Sequence, residues 1–279
     1  MAIAQQRWPV TSANCLMLEF IPSSLPASEE ASTMSHATAC QSACSSLAQP
    51  TLIIFGRLPV PGQCKTRLIP ALGAQGAARL YSRMLMRMLK EAQAAHLGNI
   101  VLMLTPPPQA ARLETSLAPL MAELDHTLEH ELMHDPQAAR IKLEAQPTGT
   151  LGERMQQAMA RYLSHGPVML MGSDLPALDR QRLRDAAHGL ASHDAVLQPS
   201  KDGGYGLIGL NQPCPEAFAL THWSHADVCA ETLTQLTHAK RTTHCLPVSW
   251  DVDEPEDLEQ LTHDLPALMA QLPPVSLTS

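Results

Sequence analysis

The chain has 279 residues and a formal net charge of −8 at pH 7, with 45% hydrophobic and 16% charged residues. A chain of this length and composition can bury a large core. A general nucleic-acid-binding protein needs an excess of Lys and Arg, so the acidic balance argues against that class. No apolar run approaches the roughly 18 residues of a membrane helix, and the N-terminus lacks the basic and apolar regions of a signal peptide.

The cysteines indicate a reducing compartment. There are seven, an odd number, their spacing is scattered, and none forms a C-x-x-C pair. This pattern argues against a disulfide framework or a zinc site and is typical of reduced thiols. We therefore expect a cytoplasmic protein that binds neither nucleic acid nor a membrane.

The N-terminal segment, residues 1–49, differs from the rest of the chain. It is rich in Ser and Ala, poor in charge and without a sustained hydrophobic period. Such a composition is typical of a disordered or loosely attached extension, although the apolar run at 15–21 could form one short element. Met34 is an alternative start of the chain. We expect one folded domain over 50–272 and a short tail over 273–279.

From residue 51 onward, strand-like apolar runs alternate with helical patterns. The predicted strands cover 51–56, 99–105, 141–145, 167–172, 194–198, 205–210 and 244–250. The predicted helices, with apolar residues three and four apart, cover 74–95, 108–123, 151–164, 179–191, 227–239 and 254–271. This order predicts an α/β domain with a mostly parallel sheet and helices on both faces. We expect the runs 205–210 and 244–250 to join the sheet in antiparallel orientation.

The loop after the first predicted strand carries a cluster of cations. The sequence FGRLPVPGQCKTRL at 55–68 contains Arg57, Lys65 and Arg67. In parallel sheets, ligands bind beyond the carboxyl ends of the strands. Cations on a loop at this place predict binding of an anion such as a phosphate chain, with Gly62 and Thr66 among the contacts. The spacing is not that of a P-loop, and the alternative is a solvated surface loop.

Two acidic segments predict a divalent metal site. An apolar run ends in Gly-Ser-Asp, which sets Asp174 at the carboxyl end of a strand, and Asp251 and Asp253 alternate at the end of the last strand. Neighbouring carboxylates repel each other unless a cation or donors lie between them. Mg²⁺ or Mn²⁺ bridged to phosphate is a common cation in such a place. The alternative role for Asp174, a helix cap, fits Asp179 better.

A glycine turn separates the predicted strands at 194–198 and 205–210. Its central residues, Asp-Gly-Gly, are a tight-turn signal, and a plain hairpin is one interpretation. The functional interpretation is that the two glycines let the backbone approach a ligand closely. The residues assigned to this substrate contact are Lys201, Asp202, Gly203, Gly204 and Tyr205.

The segment QPTGTLGERM at 146–155 follows a strand and opens a helix. Thr150 and Glu153 have the spacing of a capping box, which is a structural role. Gln146, Gly149 and Arg154 are candidates to contact a base, a ribose or phosphates.

Three histidines, His126, His130 and His134, are spaced as on metal-binding helices. The chain contains thirteen histidines spread along its length, and no catalytic partner accompanies these three. We therefore do not predict a metal site there.

Four motifs occur in one order along 51–265. They are R-x-P-x-P-G-x-x-K-T-R-L, G-x-L-G-E-R-M, G-S-D-x-P-x-L and D-G-G-Y-x-L-I-G-L. The set resembles a family of bacterial glycosyltransferase-A-like proteins, the rSAM/selenodomain-associated transferase 1 family. The first loop is also similar to the K-[ST]-R-L of phospholactate guanylyltransferases. The D-x-D-x-P-E-D-L end is similar to that of many nucleotidyltransferases, with Glu254 in place of Thr, but only Ser173-Asp174 stands where glycosyltransferases carry D-x-D.

The resemblance implies a GT-A fold, which is Rossmann-like, and a Mg²⁺- or Mn²⁺-dependent transferase. Its partners would be a nucleotide or nucleotide sugar and a small-molecule acceptor. The expected catalytic residues are Lys65 for phosphate charge, Asp174 for the metal and Asp202 for the sugar or acceptor. The cation-rich first loop favours nucleotidyl transfer from a nucleoside triphosphate over glycosyl transfer. A nucleotide-binding sensor or partner subunit without catalysis is the alternative of another class.

Overall fold

The computed structural model describes residues 49–115, 117–131, 140–223, 225–270 and 272. Almost all of the expected extension and the whole of the expected tail lie outside these residues. The strands are β1 (Thr51–Arg57), β2 (Ile100–Thr105), β3 (Ile141–Ala145), β4 (Val168–Gly172), β5 (Ala195–Pro199), β6 (Tyr205–Leu210) and β7 (Thr243–Cys245). They form one sheet in the order β3-β2-β1-β4-β6-β5-β7.

The helices occur between the strands, as predicted. They are α1 (Ile69–Ala95), α2 (Pro108–Leu113), α3 (Ala118–Glu131), α4 (Leu151–Leu163), α5 (Arg180–Ser192), α6 (Val228–His238), α7 (Asp257–Asp264) and α8 (Pro266–Met269). Short 3₁₀ helices cover Thr66–Leu68 and Pro215–Phe218. In the part of the chain that the structure describes, no helix combines the length and the apolarity needed to cross a membrane.

Two helices that were predicted as continuous are each divided in two. The pattern at 108–123 is interrupted after α2, where Glu114 has extended backbone angles. The pattern at 254–271 is interrupted at Leu265, with φ −138° and ψ 60°, because a residue before proline is disfavoured in helical conformation. Helix α1 contains non-helical Gly73, with φ 69° and ψ 165°. This break explains why the regular apolar spacing begins only at residue 74.

The sheet is parallel except for one strand. Strand β6 pairs antiparallel with both β4 and β5, which confirms the expectation for 205–210. The antiparallel prediction for 244–250 is wrong, because β7 pairs parallel with β5 and ends at Cys245. Strand β6 is inserted between β4 and β5. Strand β5 therefore has one side left for pairing, and β7 pairs there in the same direction as β5.

The core lies on both faces of the sheet. Along β1, Leu52 and Ile54 pack with α1, α2, α3 and α5, whereas Ile53 packs with α4 and α6 on the other face. The predicted arrangement of helices on both faces is thus confirmed. A third apolar cluster joins the first half of α1 to α7 and α8 and includes Trp250 and Val252.

The strand ends place the polar loops at one edge of the sheet. Strands β1, β4 and β5 run in parallel and end at Arg57, Gly172 and Pro199. Because β6 is antiparallel, its first residue, Tyr205, lies at the same edge, opposite Pro199. All the sequence segments assigned to the site therefore converge on this edge.

Candidate functional site

A cleft of about 510 Å³ opens at the carboxyl ends of β1 and β4, and we call it the major cleft. The predicted site residues that line it are Arg57, Lys65, Thr66, Arg67, Gln146, Arg154, Asp174 and Asp253. Gly62 and Gly149, which were also predicted, are not among its lining residues. Both have positive φ values, 81° and 117°, so they shape the turns beside the cleft.

A second cleft of about 210 Å³ adjoins the first, and we call it the minor cleft. Its polar lining residues are Asp174, Ser200, Asp202, Tyr205 and Asp251, and its apolar walls include Trp223, Met155, Leu175 and Val228. The two clefts share Leu151, Gly172 and Asp174. Asp174 therefore stands at the boundary between them. The arrangement joins one cleft rich in cations to one rich in carboxylates.

The turn between β5 and β6 forms one wall of the minor cleft. Asp202 Oδ1 accepts a hydrogen bond from the Gly204 backbone N–H at 3.0 Å, and the Gly203 carbonyl accepts one from the Cys229 N–H at 2.9 Å. Gly203 has φ 87°, and a Cβ atom there would lie 1.8 Å from the Ala226 carbonyl oxygen. The turn thus connects β5 and β6 as a hairpin. It also forms a wall of the minor cleft, because it packs against the start of α6.

Lys201, the remaining predicted residue of that turn, does not line either cleft. Its Nζ donates a hydrogen bond to Gln260 Oε1 at 3.0 Å on an exposed surface. The structure thus separates Lys201 from Asp202, its neighbour in the chain, which faces the minor cleft.

Lys65 makes the most buried ionic contact of the major cleft. Its Nζ lies 2.8 Å from Asp174 Oδ2 and 3.2 Å from Asp253 Oδ1, and only 6% of its side chain is exposed. Burial by itself lowers the pKa of Lys65, but the two carboxylates outweigh it, so that the pKa is raised above its ordinary value. Lys65 is therefore fully protonated at neutral pH.

Arg67 is also paired with carboxylates. Its Nη1 lies 2.6 Å from Asp253 Oδ2 and 2.9 Å from Glu254 Oε1, at the exposed mouth of the major cleft. The pairing with Arg67 places Glu254 at the rim of the site.

Arg57 and Arg154 carry the remaining positive charges of the major cleft. In the described part of the chain, neither guanidinium has an acidic side chain within ion-pair distance. The Arg154 guanidinium lies 5.6 Å from the centroid of the Phe55 ring. Burial and then the positive charge of Arg57 lower the pKa of Arg154. The excess positive charge of the major cleft therefore lies on this side.

A buried hydrogen-bond chain supports the floor of the major cleft. The Arg57 backbone N–H donates to the Tyr81 hydroxyl at 2.7 Å, and that hydroxyl is 2.7 Å from Ser173 Oγ. Burial raises the pKa of Tyr81 to about 12, so it remains a neutral phenol. These hydrogen bonds join the ends of β1 and β4 to α1. Sequence reasoning missed Tyr81, because an aromatic residue on the apolar face of a helix is indistinguishable from an ordinary core residue.

Gln146 joins the end of β3 to two other strands. Its Nε2 donates to the Gly56 carbonyl at 2.7 Å and to the Met103 carbonyl at 2.9 Å. Because both partners are acceptors, the orientation of the amide is fixed. The amide oxygen is buried and has no hydrogen-bond partner among the described residues. Gln146 thus supports the wall of the cleft.

Asp251 faces the minor cleft, whereas Asp253 faces the major one. Asp251 Oδ1 accepts a hydrogen bond from Ser200 Oγ at 3.1 Å. Burial, and then the charges of Asp202 and Asp174, raise the pKa of Asp251 above its ordinary value. Buried Val252 between the two aspartates fixes this division. Ser200, unlike Asp251, was not predicted, although it precedes the glycine turn directly.

The two carboxylates around Lys65 fit a divalent cation. Asp174 and Asp253 already direct one oxygen each at a single buried cationic group, and Mg²⁺ and Mn²⁺ prefer such hard oxygen ligands. Among the described residues, no group of three or more His, Cys, Asp or Glu side chains could hold a metal by itself. Mg²⁺ is commonly held by only one or two carboxylates, with water and substrate phosphates completing its shell.

The described part of the histidine segment lines neither cleft. His126 is exposed on α3, and neither the His130 side chain nor any part of His134 is among the described features. A groove of about 600 Å³ beside α1 and α3 is larger than either cleft, but none of the predicted site residues lines it. The charged strand ends, and not this groove, therefore define the candidate site.

Comparison with known proteins bears on the fold. Residues 88–225, just under half of the chain, match the model of the DUF2064 family, described as uncharacterized proteins conserved in bacteria. No curated protein sequence matches the chain. A solved structure from Desulfovibrio desulfuricans G20, provisionally described as a nucleotide-diphospho-sugar transferase, is 28% identical. The match covers 80% of this chain and 91% of that one, with a TM-score of 0.64. The fold is therefore of the GT-A type, as predicted.

More distant similarities to solved structures also occur. Rv0371C of Mycobacterium tuberculosis H37Rv, solved as a complex with manganese, is 17% identical over 78% of this chain and all of its own, with a TM-score of 0.44. The 4-diphosphocytidyl-2C-methyl-D-erythritol synthase of Anaerococcus prevotii DSM 20548 is 10% identical over 78% of this chain and 99% of its own, with a TM-score of 0.49. At this distance neither informs the activity. The resemblance to the rSAM/selenodomain-associated family stays a prediction.

Proposed function

We propose that the protein is a divalent-metal-dependent transferase with a nucleotide-activated substrate, and that its reaction is nucleotidyl transfer from a nucleoside triphosphate. The major cleft carries this proposal. At one edge of the sheet it combines Arg57, Lys65, Arg67 and Arg154 with the carboxylates of Asp174 and Asp253. A site that must bind a polyanionic chain together with a metal ion requires such a combination of charges.

The phosphates would bind first to the uncompensated arginines. Arg57 and Arg154 present guanidinium groups, which match phosphate oxygens in charge and geometry. Thr66 opens the 3₁₀ helix after Lys65 and lines the same cleft, so its polar groups lie within reach of the same ligand. Gln146, which also lines the cleft and is held by the Gly56 carbonyl, would form the wall beside the base or ribose.

Asp174 and Asp253 would hold the Mg²⁺ or Mn²⁺ ion. The ion, when bound, supplies Lewis-acid stabilisation of the charge that develops on the phosphates. Asp174 also borders the minor cleft. The metal position and the acceptor position are therefore adjacent.

The acceptor would occupy the minor cleft. Asp251 has a raised pKa and a hydrogen bond from Ser200, which suits it to take the proton of an acceptor hydroxyl. The acceptor oxygen attacks the α-phosphate, a new O–P bond forms, and the bond to the leaving pyrophosphate breaks. Asp202, on the opposite wall, would position the acceptor.

Glycosyl transfer from a nucleotide sugar is the second candidate. It is favoured by the relative from Desulfovibrio desulfuricans G20, whose description names a nucleotide-diphospho-sugar transferase. In this reaction the cations of the major cleft would stabilise a departing nucleoside diphosphate. The sugar would lie toward the minor cleft, in contact with Asp202.

A thermal-shift panel of nucleoside triphosphates and nucleotide sugars, each with and without Mg²⁺ or Mn²⁺, tests these proposals. A ligand at 100 times its Kd adds about 2.7 kcal/mol of stability, which raises Tm by several degrees. Metal-dependent stabilisation by a triphosphate supports nucleotidyl transfer, and stabilisation by nucleotide sugars alone supports glycosyl transfer. No response to either class contradicts both.

An Asp174→Asn variant separates catalysis from binding. If the protein is a transferase, this variant loses turnover while part of its nucleotide affinity survives. A nucleotide-binding sensor would show nucleotide binding but no release of pyrophosphate or nucleoside diphosphate from the wild-type protein with any acceptor.

A further inference from the structure

Lys65 occupies the space that a metal ion would need. Its ammonium lies between Asp174 Oδ2 and Asp253 Oδ1, at 2.8 and 3.2 Å. A divalent ion bound to both oxygens would lie at about 2.0–2.6 Å from each of them. The ion and the ammonium cannot share that space, and their like charges would repel each other strongly in a buried site.

The backbone holds Lys65 in this position. Lys65 has φ 46° and ψ 47°, a left-handed conformation that is uncommon for a residue with a side chain. Such a conformation persists only where the surrounding structure determines it. On one side Cys64 is buried and its Sγ contacts the Val60 carbonyl, and on the other side Leu68 is fully buried. The contact with the two carboxylates is therefore a built feature and not a chance position of a surface lysine.

The same side chain also lines the major cleft, beside Arg57 and Arg154. These two arginines have no carboxylate partner in the described chain, so an arriving phosphate chain would be attracted to them. Once anionic oxygens lie in the cleft, Lys65 has an alternative partner there. Its move toward them would leave the two carboxylates free for a metal ion.

We propose that Lys65 is an internal counter-cation, which fills the metal position in the ligand-free protein and leaves it when phosphates enter the major cleft. Metal and polyphosphate then bind cooperatively, and each raises the affinity for the other by the same factor. The inference rests on the proposed function for the identity of the anionic ligand. The competition between Lys65 and the metal does not depend on that identity.

The test measures Mn²⁺ binding to the full chain without nucleotide, with electron paramagnetic resonance as the readout. Lys65→Met removes the ammonium and should bind Mn²⁺ at least about tenfold more tightly than the wild type, within the usual range of such couplings. Lys65→Gly is the second variant. Glycine is at ease at φ 46°, so this variant keeps the fold even where Met does not, and thermal unfolding checks both.

Two further variants make the result specific. Arg154→Met also removes a positive charge from the major cleft but contacts neither carboxylate, so its Mn²⁺ affinity should stay close to that of the wild type. Asp174→Asn combined with Lys65→Gly should lose the gained affinity. If the Lys65 variants bind Mn²⁺ no more tightly than the wild type, or if Arg154→Met gains as much as they do, the inference is wrong.

A second titration adds a saturating nonhydrolysable nucleoside triphosphate. The wild type should then gain Mn²⁺ affinity, whereas the Lys65→Gly variant should gain much less. If no nucleotide binds but the Lys65 variants still gain Mn²⁺ affinity, the counter-cation stands and the proposed function is contradicted. If nucleotide binds but the Lys65 variants show no gain in Mn²⁺ affinity, the inference about Lys65 is wrong and the proposed function is unaffected.

Discussion

The basic residues of the major cleft differ in whether a carboxylate neutralises their charge. Lys65 and Arg67 are neutralised by Asp174, Asp253 and Glu254. Arg57 and Arg154 have no such partners in the described residues, and burial together with Arg57 already lowers the pKa of Arg154. An anion that enters between these two arginines relieves their mutual repulsion, so they are where binding free energy should be concentrated.

Replacing either arginine should weaken nucleotide binding. Charge-assisted hydrogen bonds contribute about 1.5–3 kcal/mol, so Arg57→Met or Arg154→Met should raise the Kd of the stabilising triphosphate roughly 10- to 100-fold. Isothermal titration calorimetry measures this. The control is Arg161→Met, on the same helix as Arg154 but 3.6 Å from Glu144 outside the cleft. Equal losses in the Arg161 variant would mean that only overall charge matters.

Asp251→Asn should separate binding from turnover. The amide oxygen can still accept the hydrogen bond from Ser200, so the minor cleft keeps its shape, but the group can no longer take a proton. We expect nucleotide affinity to be unchanged and pyrophosphate release to fall about 10²- to 10⁴-fold, the usual effect of losing a general base. Asp264→Asn, an exposed acid on α7, is the control. Full turnover in the Asp251 variant would remove it from the mechanism.

At the level of single residues, the sequence predicts which residues line the two clefts better than it predicts their contacts. Strand ends and glycine turns led to Lys65, Asp174 and Asp202, because the carboxyl edge of a parallel sheet is a general property of the fold. The sequence does not show that Lys65 pairs with Asp253 and not with Asp251. That choice depends on which way residues 250–253 are turned when Val252 becomes buried.

An ionic contact between Glu91 and Arg180 joins helices α1 and α5. The Glu91 carboxylate on α1 accepts hydrogen bonds from the Arg180 backbone N–H at 3.0 Å and from Arg180 Nε at 2.9 Å. Glu91 therefore acts as a second cap at the N-terminus of α5, beside Asp179, whose predicted capping bond to the Arg182 N–H is present at 2.9 Å. Helix α5 begins six residues after Asp174, so this tie supports the segment that carries the site.

Glu91→Gln should reduce stability at neutral pH and not in acid. The hydrogen bonds from Arg180 lower the pKa of Glu91 against the opposing effect of burial. The stabilisation is therefore present above the unfolded pKa of about 4.3 and is lost as pH falls through the lower folded pKa. We expect a Tm lower by roughly 2–6 °C at pH 7 and a narrowing difference below pH 4.

Differential scanning calorimetry at the two pH values measures this effect. The control is Asp185→Asn on α5, where the carboxylate has an exposed contact with Gln181 at 3.0 Å. A difference between Glu91→Gln and the wild type that does not change with pH would point to packing and not to ionisation.

The elements themselves were largely predictable, because buried parallel strands are continuous apolar runs and helices have a distinct period. The direction of β7 was not, since it depends on the insertion of β6 between β4 and β5, which no local pattern records. The break between α2 and α3 was missed for a similar reason. Leu113 and Leu117 keep a four-residue apolar spacing across the break, but Glu114 has extended backbone angles.

On the scale of the whole molecule, the folded part forms its core within residues 52–272. Three buried clusters cover the two faces of the sheet and the first half of α1 with α7 and α8. Strand β1 is central to this core, because it pairs with β2 on one side and β4 on the other. The Ser- and Ala-rich composition of residues 1–49 predicts an extension outside this core.

A chain that begins at Leu47 should therefore keep its thermal midpoint within about 2 °C of the full chain, and keep its nucleotide affinity. Calorimetry and the thermal-shift panel measure both. A chain that begins at Leu58, which lacks β1, is the control and should not fold. If the chain from Leu47 loses several degrees, the N-terminal segment is part of the folded domain and not an extension.

The close approach of Gly203 to Ala226 also limits how the gene can vary. A base change at the first or second position of a glycine codon brings in either a side chain or a stop. At residue 203 any side chain meets a carbonyl oxygen at 1.8 Å. At Gly204 an added Cβ would lie 3.3 Å from the movable Asp202 carboxylate, so alanine is tolerable there. Tolerated base changes at codon 203 are therefore limited to the third position, whereas codon 204 can also change to an alanine codon.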